Sequence, residues 1–541
     1  MIQLIRQSWV LVAVLLAGLA LRLWGIGFGL PHPMTRPDEE FIVSVALRFF
    51  SGDFNPHFFE WPSLYFYVVH AVLRIAYLAG LASGAYSDAA AFVAGVTRDP
   101  GWVHVMLRLM SVAAALGTLV IVYRLGRRAF DRDTGLIAAA FLAAAYLHVR
   151  DSHFGVLDVP LTLLIVLTIA LLARAWRPPG NAHPARWFAL AGLVAGLASS
   201  VKYNASALIV PAVVTAAIRM RDDRGARVDT LAGLGLFVAG FALGFVAGTP
   251  YALLDSSAFR GGLSAQVTRL TEGHGIRIER VWERHVTFSL LHGAGWPVLV
   301  AGVGGMSWLA IGDWRRWGIL FSFPLAYFVV IGSGHTAFIR YVTPLVPFLC
   351  LAAAFALHDT VRVAAAKWGE YQRGWATAAA VLILALPSLV TAVRFDRMMT
   401  QTDTRVLAAA WLRNEIAPGQ SLYESGASYA RPHYAWGSSI DFVEAELDPR
   451  TSAFVTLAGQ PIEPDWIVLA ESPLRLYTPV PGALRGILAS RYRKVREFFP
   501  THELEPEAIF DRQDAFFLPF ADFSARDRPG PALTIYRRGR D

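Results

Sequence analysis

Apolar runs of near-bilayer length punctuate the chain almost from end to end, and this pattern constrains the fold more than any motif does. They fall at roughly 8–28, 62–82, 102–123, 134–149, 156–173, 187–201, 205–218, 230–249, 286–310, 318–333, 341–357 and 375–393. A helix crosses the hydrocarbon core with about 20 mostly apolar residues, and lipid tolerates no unpaired backbone polar group. The runs therefore predict a polytopic α-helical membrane protein. A mean hydropathy of +0.44 with only 17% charged residues agrees with this reading. The single cysteine, Cys350, lies inside an apolar run, which leaves no disulfide framework and no thiolate metal site. The first run follows Arg6 and lacks a clear small-residue cleavage site, so it reads as a retained span.

The net charge of +8 does not point to nucleic acid, because much of it is arginine in short loops, where it signals topology. Whether 62–82 crosses the membrane decides the side of every later loop. If it lies along the outer surface, the clusters Arg124/Arg127/Arg128/Arg132, Arg174/Arg177/Arg186 and Arg219/Arg221/Arg224/Arg227 all become cytoplasmic. Arg315/Arg316 and Arg362/Lys367/Arg373 then join them. If it crosses, all five clusters move outside, against the positive-inside rule. Trp61-Pro62 at its start, with His70 and Arg74 within it, suits an interfacial helix. The expectation is therefore about 11 transmembrane helices, with the N-terminus inside. The pair 187–218 is short for two spans, so those helices are expected to be short, tilted or broken near Lys202.

This topology makes a transmembrane domain of 1–393 with a first outer loop at 30–101, and leaves 394–541 outside. Composition shifts there toward Asp, Glu, Pro and Arg. Asp403 to Ile416 reads as an amphipathic helix stopped by Pro418-Gly419, and Trp466 to Leu469 and Leu533 to Tyr536 read as strands. The tail is expected to be a small soluble α/β domain.

The outer side collects the unusual ionisable residues. Arg36-Pro37-Asp38-Glu39-Glu40 places adjacent carboxylates just past the first span, a costly arrangement beside lipid unless solvated or used. Asp38 and Glu39 are the candidate catalytic pair; their bland reading is a helix start, which favours acidic residues. Asp151, His153 and Asp158 follow the third span and suit sugar binding, while leaving a divalent ion open. Lys202, next to Tyr203, and Arg340, next to Tyr341, sit at outer span ends. There they either snorkel to headgroups or meet a lipid phosphate, which Arg binds bidentately and Lys as a point charge. Trp61 heads an aromatic group suited to interfacial anchoring or to sugar stacking.

In order, Arg36-Pro37-Asp38-Glu39, Trp61-Pro62-Ser63-Leu64-Tyr65, Gly126-Arg127-Arg128-Ala129-Phe130, His148-Val149-Arg150-Asp151-Ser152-His153-Phe154, Asp158-Val159-Pro160, Lys202-Tyr203-Asn204, Gly248-Thr249-Pro250-Tyr251 and Arg340-Tyr341-Val342-Thr343-Pro344-Leu345 make a recognisable series. It resembles the GT-C membrane glycosyltransferases of the protein O-mannosyltransferase and lipid A aminoarabinose transferase-like group (glycosyltransferase family 39 and relatives). The resemblance implies the GT-C fold with surface-lying helices in the first outer loop. It also implies Asp38 as catalytic carboxylate, a sugar donor on polyprenyl phosphate, and inversion at the anomeric carbon. It leans toward no metal and no other cofactor. One departure matters: where relatives often carry Lys-Pro-Pro or His-Pro-Pro, this chain has Glu60-Trp61-Pro62-Ser63, so Lys202 or Arg340 would have to meet the donor phosphate.

The functional expectation is sugar transfer to an acceptor hydroxyl on a lipid, glycan or protein, at the periplasmic face of the bacterial inner membrane. Membrane lipids are partners and nucleic acid is not. Two other classes compete. A transporter or lipid flippase would show ionisable residues deep in paired repeats, which the sequence does not show. A non-catalytic envelope-assembly scaffold would use the C-terminal domain for binding.

Overall fold

The structure is a computed structural model that describes residues 2–180, 183–432, 442–448, 450–502, 508–523 and 525–539. The chain forms two compact units. One comprises Met1–Leu23, Ile42–Ala76 and Leu107–Val393; the other gathers Trp24–Phe41, Tyr77–Met106 and Arg394–Asp541.

Every apolar run in the sequence is helical, but the helices are more interrupted than simple spans. Among the described residues seven helices are long and apolar enough to cross a membrane: Leu64–Ala82, Gly101–Ala129, Asp158–Trp176, Tyr203–Asp222, Arg227–Gly248, Ile339–Ala364 and the helix that begins at Glu370. An eighth is added if the bent pair Val281–Gly293 and Trp296–Gly312 is one span. The expected count of about 11 is not reached by that criterion, for local reasons. The run at 134–149 splits at Ala145, whose backbone is extended, into Arg132–Ala144 and Tyr146–Ser152. The run at 187–201 gives the 16-residue helix Pro184–Ser199. The run at 286–310 turns by 118°, at Gly295, whose φ of +83° suits only glycine, with Pro297 opening the next helix.

Leu64–Ala82, expected on the surface, has 19 residues and a mean hydropathy of 1.6, the character of a spanning helix. Its polar residues do not mark it as interfacial. His70 gives Nδ1 to the Ala46 carbonyl at 2.9 Å among the rings of Phe49, Phe50 and Phe54, and Arg74 lies over the Phe50 ring. The arginine asymmetry remains the argument for a surface placement. Pro37–Arg48 and Ala89–Arg98 in the same loop are too short to span.

Within the first unit, helices Pro184–Ser199 and Arg227–Gly248 meet backbone to backbone through Gly192, Gly196, Gly240 and Gly244. A methyl group on Gly196 would come within 2.1 Å of the Phe241 carbonyl, and one on Gly244 within 2.3 Å of the Leu193 carbonyl. Small residues four apart permit this approach, the usual device where lipid supplies no hydrophobic drive. The pair ends in a latch. Ser200 Oγ bonds Thr249 Oγ1, the Ser63 N–H donates to that same Thr249 oxygen at 3.3 Å, and the Leu64 N–H donates to the Ser200 carbonyl at 3.1 Å. Lys202 follows directly on this latch.

The second unit contains a six-stranded sheet: β1 Ser421–Glu424, β2 Val443–Leu447, β3 Phe454–Thr456, β4 Trp466–Glu471, β5 Tyr492–Phe498 and β6 Ala532–Arg538, in the order β3-β2-β1-β4-β6-β5. β2, β1 and β4 run parallel, and the outer strands pair antiparallel. Along β4, Trp466, Val468 and Ala470 pack on one face with Leu412 of helix Thr404–Glu415, while Ile467 and Leu469 pack on the other with Leu484 and Leu488 of helix Gly482–Arg491. Burial on both faces explains the unbroken apolar run in this strand. The expected small α/β domain is thus present after the membrane helices.

Candidate active site

In the first unit a carboxylate and two cations come together from three separate elements. Asp158 opens helix Asp158–Trp176, an end where the helix dipole favours negative charge. Lys202 lies where Pro184–Ser199 has run out. Its N–H still reaches the Ala198 carbonyl, but its backbone is already extended before the tight turn Tyr203–Leu208. The break expected near Lys202 is therefore real, and it frees the side chain to donate from Nζ to Asp158 Oδ1 at 2.6 Å. Arg340, in the tight turn Ile339–Leu345, places Nε 3.9 Å from Asp158 Oδ2. Side-chain exposure is 3% for Asp158, 14% for Lys202 and 10% for Arg340, so the three interact in a poorly hydrated place where charge counts for more than in water. Lys202 Nζ also lies 5.2 Å from the centre of the Tyr341 ring, and Arg340 stacks on Phe338 at 4.1 Å.

Asp151 supports this group through the turn that carries Arg340. It is buried, accepting from Arg150 Nη1 at 2.7 Å and from Thr343 Oγ1 at 2.5 Å, and so staples helix Tyr146–Ser152 to the turn that carries Arg340. Tyr327 donates to the Tyr341 carbonyl at 3.0 Å and accepts from Asn204 Nδ2 at 3.1 Å, which ties the same turn to the residues after Lys202. Tyr203 spends its hydroxyl on the Phe59 carbonyl at 2.8 Å. His153 is fully buried with Nδ1 on the Val149 carbonyl at 3.0 Å. Among the described residues no three His, Cys, Asp or Glu side chains form a metal-ligating group. Trp61 is half-buried between Phe58 and Phe66. Glu60, at the position of the family departure, forms an ion pair with Arg269 of helix Ser256–Glu272, so an arginine stands beside the acid there.

In the second unit Arg36 is the centre. Its guanidinium is fully buried and donates from Nη1 to Asp514 Oδ1 at 2.5 Å and from Nη2 to Asp38 Oδ2 at 3.5 Å. Asp38 stands in the first turn of Pro37–Arg48, and its side chain keeps 25% of its surface. The Glu39 N–H donates to the Arg36 carbonyl at 2.9 Å and its side chain is wholly buried. Glu40 Oε2 lies 3.4 Å from His104 Nε2. The sequence reading gave no role to Thr343 or Asp514 and took Arg269 as a solvated charge, whereas it pairs with Glu60. Thr343 stood inside a motif already singled out, whereas Asp514 lies 478 residues from Arg36 and carries no local signal.

Residues 89–244 match the family described as dolichyl-phosphate-mannose-protein mannosyltransferase, a stretch that includes Asp151, His153, Asp158, Lys202 and Tyr203. No curated protein sequence matches the chain. Among solved structures, ArnT from Cupriavidus metallidurans bound to undecaprenyl phosphate is similar with a TM-score of 0.53 at 13% identity, over 99% of this chain and 98% of that one. Its apo state gives 0.50 at 15% identity, over 98% of each. The apo Archaeoglobus fulgidus oligosaccharyltransferase gives 0.50 at 14% identity over 77% of this chain, and the match spans 62% of that protein's length. The chain is an integral membrane protein with the GT-C fold, carrying a small sheet domain after its membrane helices.

Proposed function

We propose that this GT-C-fold membrane protein is an inverting glycosyltransferase that moves a sugar from a polyprenyl-phosphate donor to an acceptor hydroxyl. The reaction takes place at the periplasmic face of the bacterial inner membrane, with residues 394–541 on that side. The reading is carried by the Asp158–Lys202–Arg340 cluster: one buried carboxylate holding two cations from three elements. A phosphate leaving group requires that chemistry, and donors aimed at developing charge are usually the largest catalytic term. The mannosyltransferase family match over 89–244 and the fold shared with an undecaprenyl-phosphate-bound protein support the same donor class.

Asp38 acts as general base. The acceptor oxygen bonds to the anomeric carbon, the bond from that carbon to the phosphate oxygen breaks, the acceptor proton passes to an Asp38 oxygen, and polyprenyl phosphate departs. A positioned base of this kind contributes ~10²–10⁴-fold. Lys202 and Arg340 take up the charge on the departing phosphate, and Asp158 holds Lys202 in place. Asp151 and Thr343 fix the turn of Arg340. The transferred sugar is a hexose or pentose, and the acceptor is a lipid, glycan or protein hydroxyl.

The test is release of polyprenyl phosphate from synthetic polyprenyl-phosphate sugars by the purified full chain, beside Asp38→Asn and with a chelator arm. Turnover by the wild type alone, surviving chelation, is expected. An Asp38→Asn protein as active as the wild type would remove the base assignment.

A further inference from the structure

Arg36 is completely buried, and a buried guanidinium left without a counter-charge destabilises a fold by several kcal/mol. Two carboxylates answer it unequally. Asp514 takes the short contact at 2.5 Å, and Asp38 is left the long one at 3.5 Å. Had Arg36 closed on Asp38 alone, that carboxylate would be locked in a tight ion pair, with its oxygens committed to a guanidinium. With Asp514 carrying Arg36, Asp38 is steered at one oxygen yet keeps a quarter of its side-chain surface.

Asp514 is itself firmly delivered. Tyr477 donates its hydroxyl to the Gln513 carbonyl at 2.6 Å on one side of it. On the other side, Arg526 Nη2 and the Gly530 N–H both donate to the Phe517 carbonyl, at 3.0 and 3.1 Å. Phe516 packs edge-on against Phe28, with the Arg36 guanidinium 6.0 Å from its ring centre. A second tie joins the same regions, His32 Nε2 to the Arg431 carbonyl at 2.8 Å. The segment around Asp514 is thus held by neighbours on both sides, and it fixes Arg36 in turn.

We infer that Asp514, a residue of the C-terminal domain, is a positioning residue for Asp38 that acts through Arg36. This rests on the reading of Asp38 as the base. It gives the C-terminal domain a part in the chemical step: its sheet and helices deliver a carboxylate to the loop that carries the base. The competing role for Asp514 is charge compensation alone, which would change stability and leave turnover per folded molecule intact.

The experiment uses the full chain in detergent or nanodiscs, with a synthetic polyprenyl-phosphate sugar, comparing wild type, Asp514→Asn, Asp514→Glu, Asp38→Asn and the double variant Arg36→Gln/Asp514→Asn. Asp514→Asn is expected to keep the donor KM within about twofold and to lose ~10–100-fold in kcat, the scale of a misplaced catalytic group. Asp514→Glu, which retains the charge, is expected to recover part of that loss. If Asp514→Asn does not fold, the double variant removes both buried charges together; it is expected to fold and to show the same kcat deficit. Wild-type kcat in folded Asp514→Asn or in the double variant, with Asp38→Asn inactive, overturns the inference. So does an Asp514→Glu variant with no recovery, since the loss then follows packing. Wild-type turnover in Asp38→Asn sinks the underlying reading instead, and the two failures are told apart within one set of proteins.

Discussion

The two charged clusters are inversions of one another. In the first unit a single carboxylate, Asp158, serves two cations, with Lys202 at 2.6 Å and Arg340 at 3.9 Å. In the second a single cation, Arg36, serves two carboxylates, with Asp514 at 2.5 Å and Asp38 at 3.5 Å. In each, the central group makes one short bond and one long one. The short bond fixes the group, and the long one adds a second, weaker tie. A cluster built on two cations suits an anionic leaving group, and one built on two carboxylates suits a proton acceptor. The proposed transfer assigns the leaving phosphate to the first and the acceptor proton to the second.

The largest expected effect breaks the carboxylate-rich cluster. Asp38→Asn keeps the side-chain shape and removes the proton acceptor, so turnover should fall ~10²–10⁴-fold with the protein still folded, measured as polyprenyl phosphate released. Next comes the cation-rich cluster. Lys202→Met keeps the apolar stem and removes the charge from a nearly buried pair, leaving Asp158 without its closest partner. Turnover should drop ~10²–10³-fold, the scale for removing one electrostatic donor, and binding of polyprenyl phosphate should weaken.

A third change leaves the charges alone and attacks their platform. Gly196→Ile drives a side chain into the Phe241 backbone. It should destabilise the helix pair by ~1–3 kcal/mol, seen as a lower melting temperature in detergent. Gly304→Ala, where nothing lies within 4 Å, should leave it unchanged. The smallest effect sharpens the role of Asp151. Thr343→Val deletes a hydrogen bond to a buried carboxylate, worth ~1.5–3 kcal/mol, so melting temperature should fall and the donor KM should rise by less than about tenfold.

Much of the membrane part was legible because hydropathy is local. The run at 102–123 became Gly101–Ala129, and that at 230–249 became Arg227–Gly248. The break at Lys202 was legible from run length alone. The bend at Gly295 was not, since a glycine inside an apolar run is also what close helix packing uses. In the C-terminal domain Trp466 to Leu469 and Leu533 to Tyr536 were found as separate strands, but their antiparallel pairing as β4 and β6 is a long-range property.

The charged clusters divide in the same way. Lys202 and Arg340 drew notice as cations at span ends, yet Asp158 as their common partner depends on a helix start, a helix break and a tight turn meeting. Asp151 looked like a ligand for sugar or metal because an acid beside a histidine does so in sequence; in the fold it is a staple between Arg150 and Thr343. Asp514 was invisible, because a single aspartate in a polar tail resembles any other until the chain closes over Arg36.

The most direct test of this inverted pair measures binding and turnover together, in wild type, Asp38→Asn and Lys202→Met. The account predicts that Asp38→Asn binds polyprenyl phosphate like the wild type while transferring sugar ~10²–10⁴-fold more slowly, and that Lys202→Met binds it more weakly. Wild-type turnover in Asp38→Asn, or unchanged phosphate affinity in Lys202→Met, would contradict it.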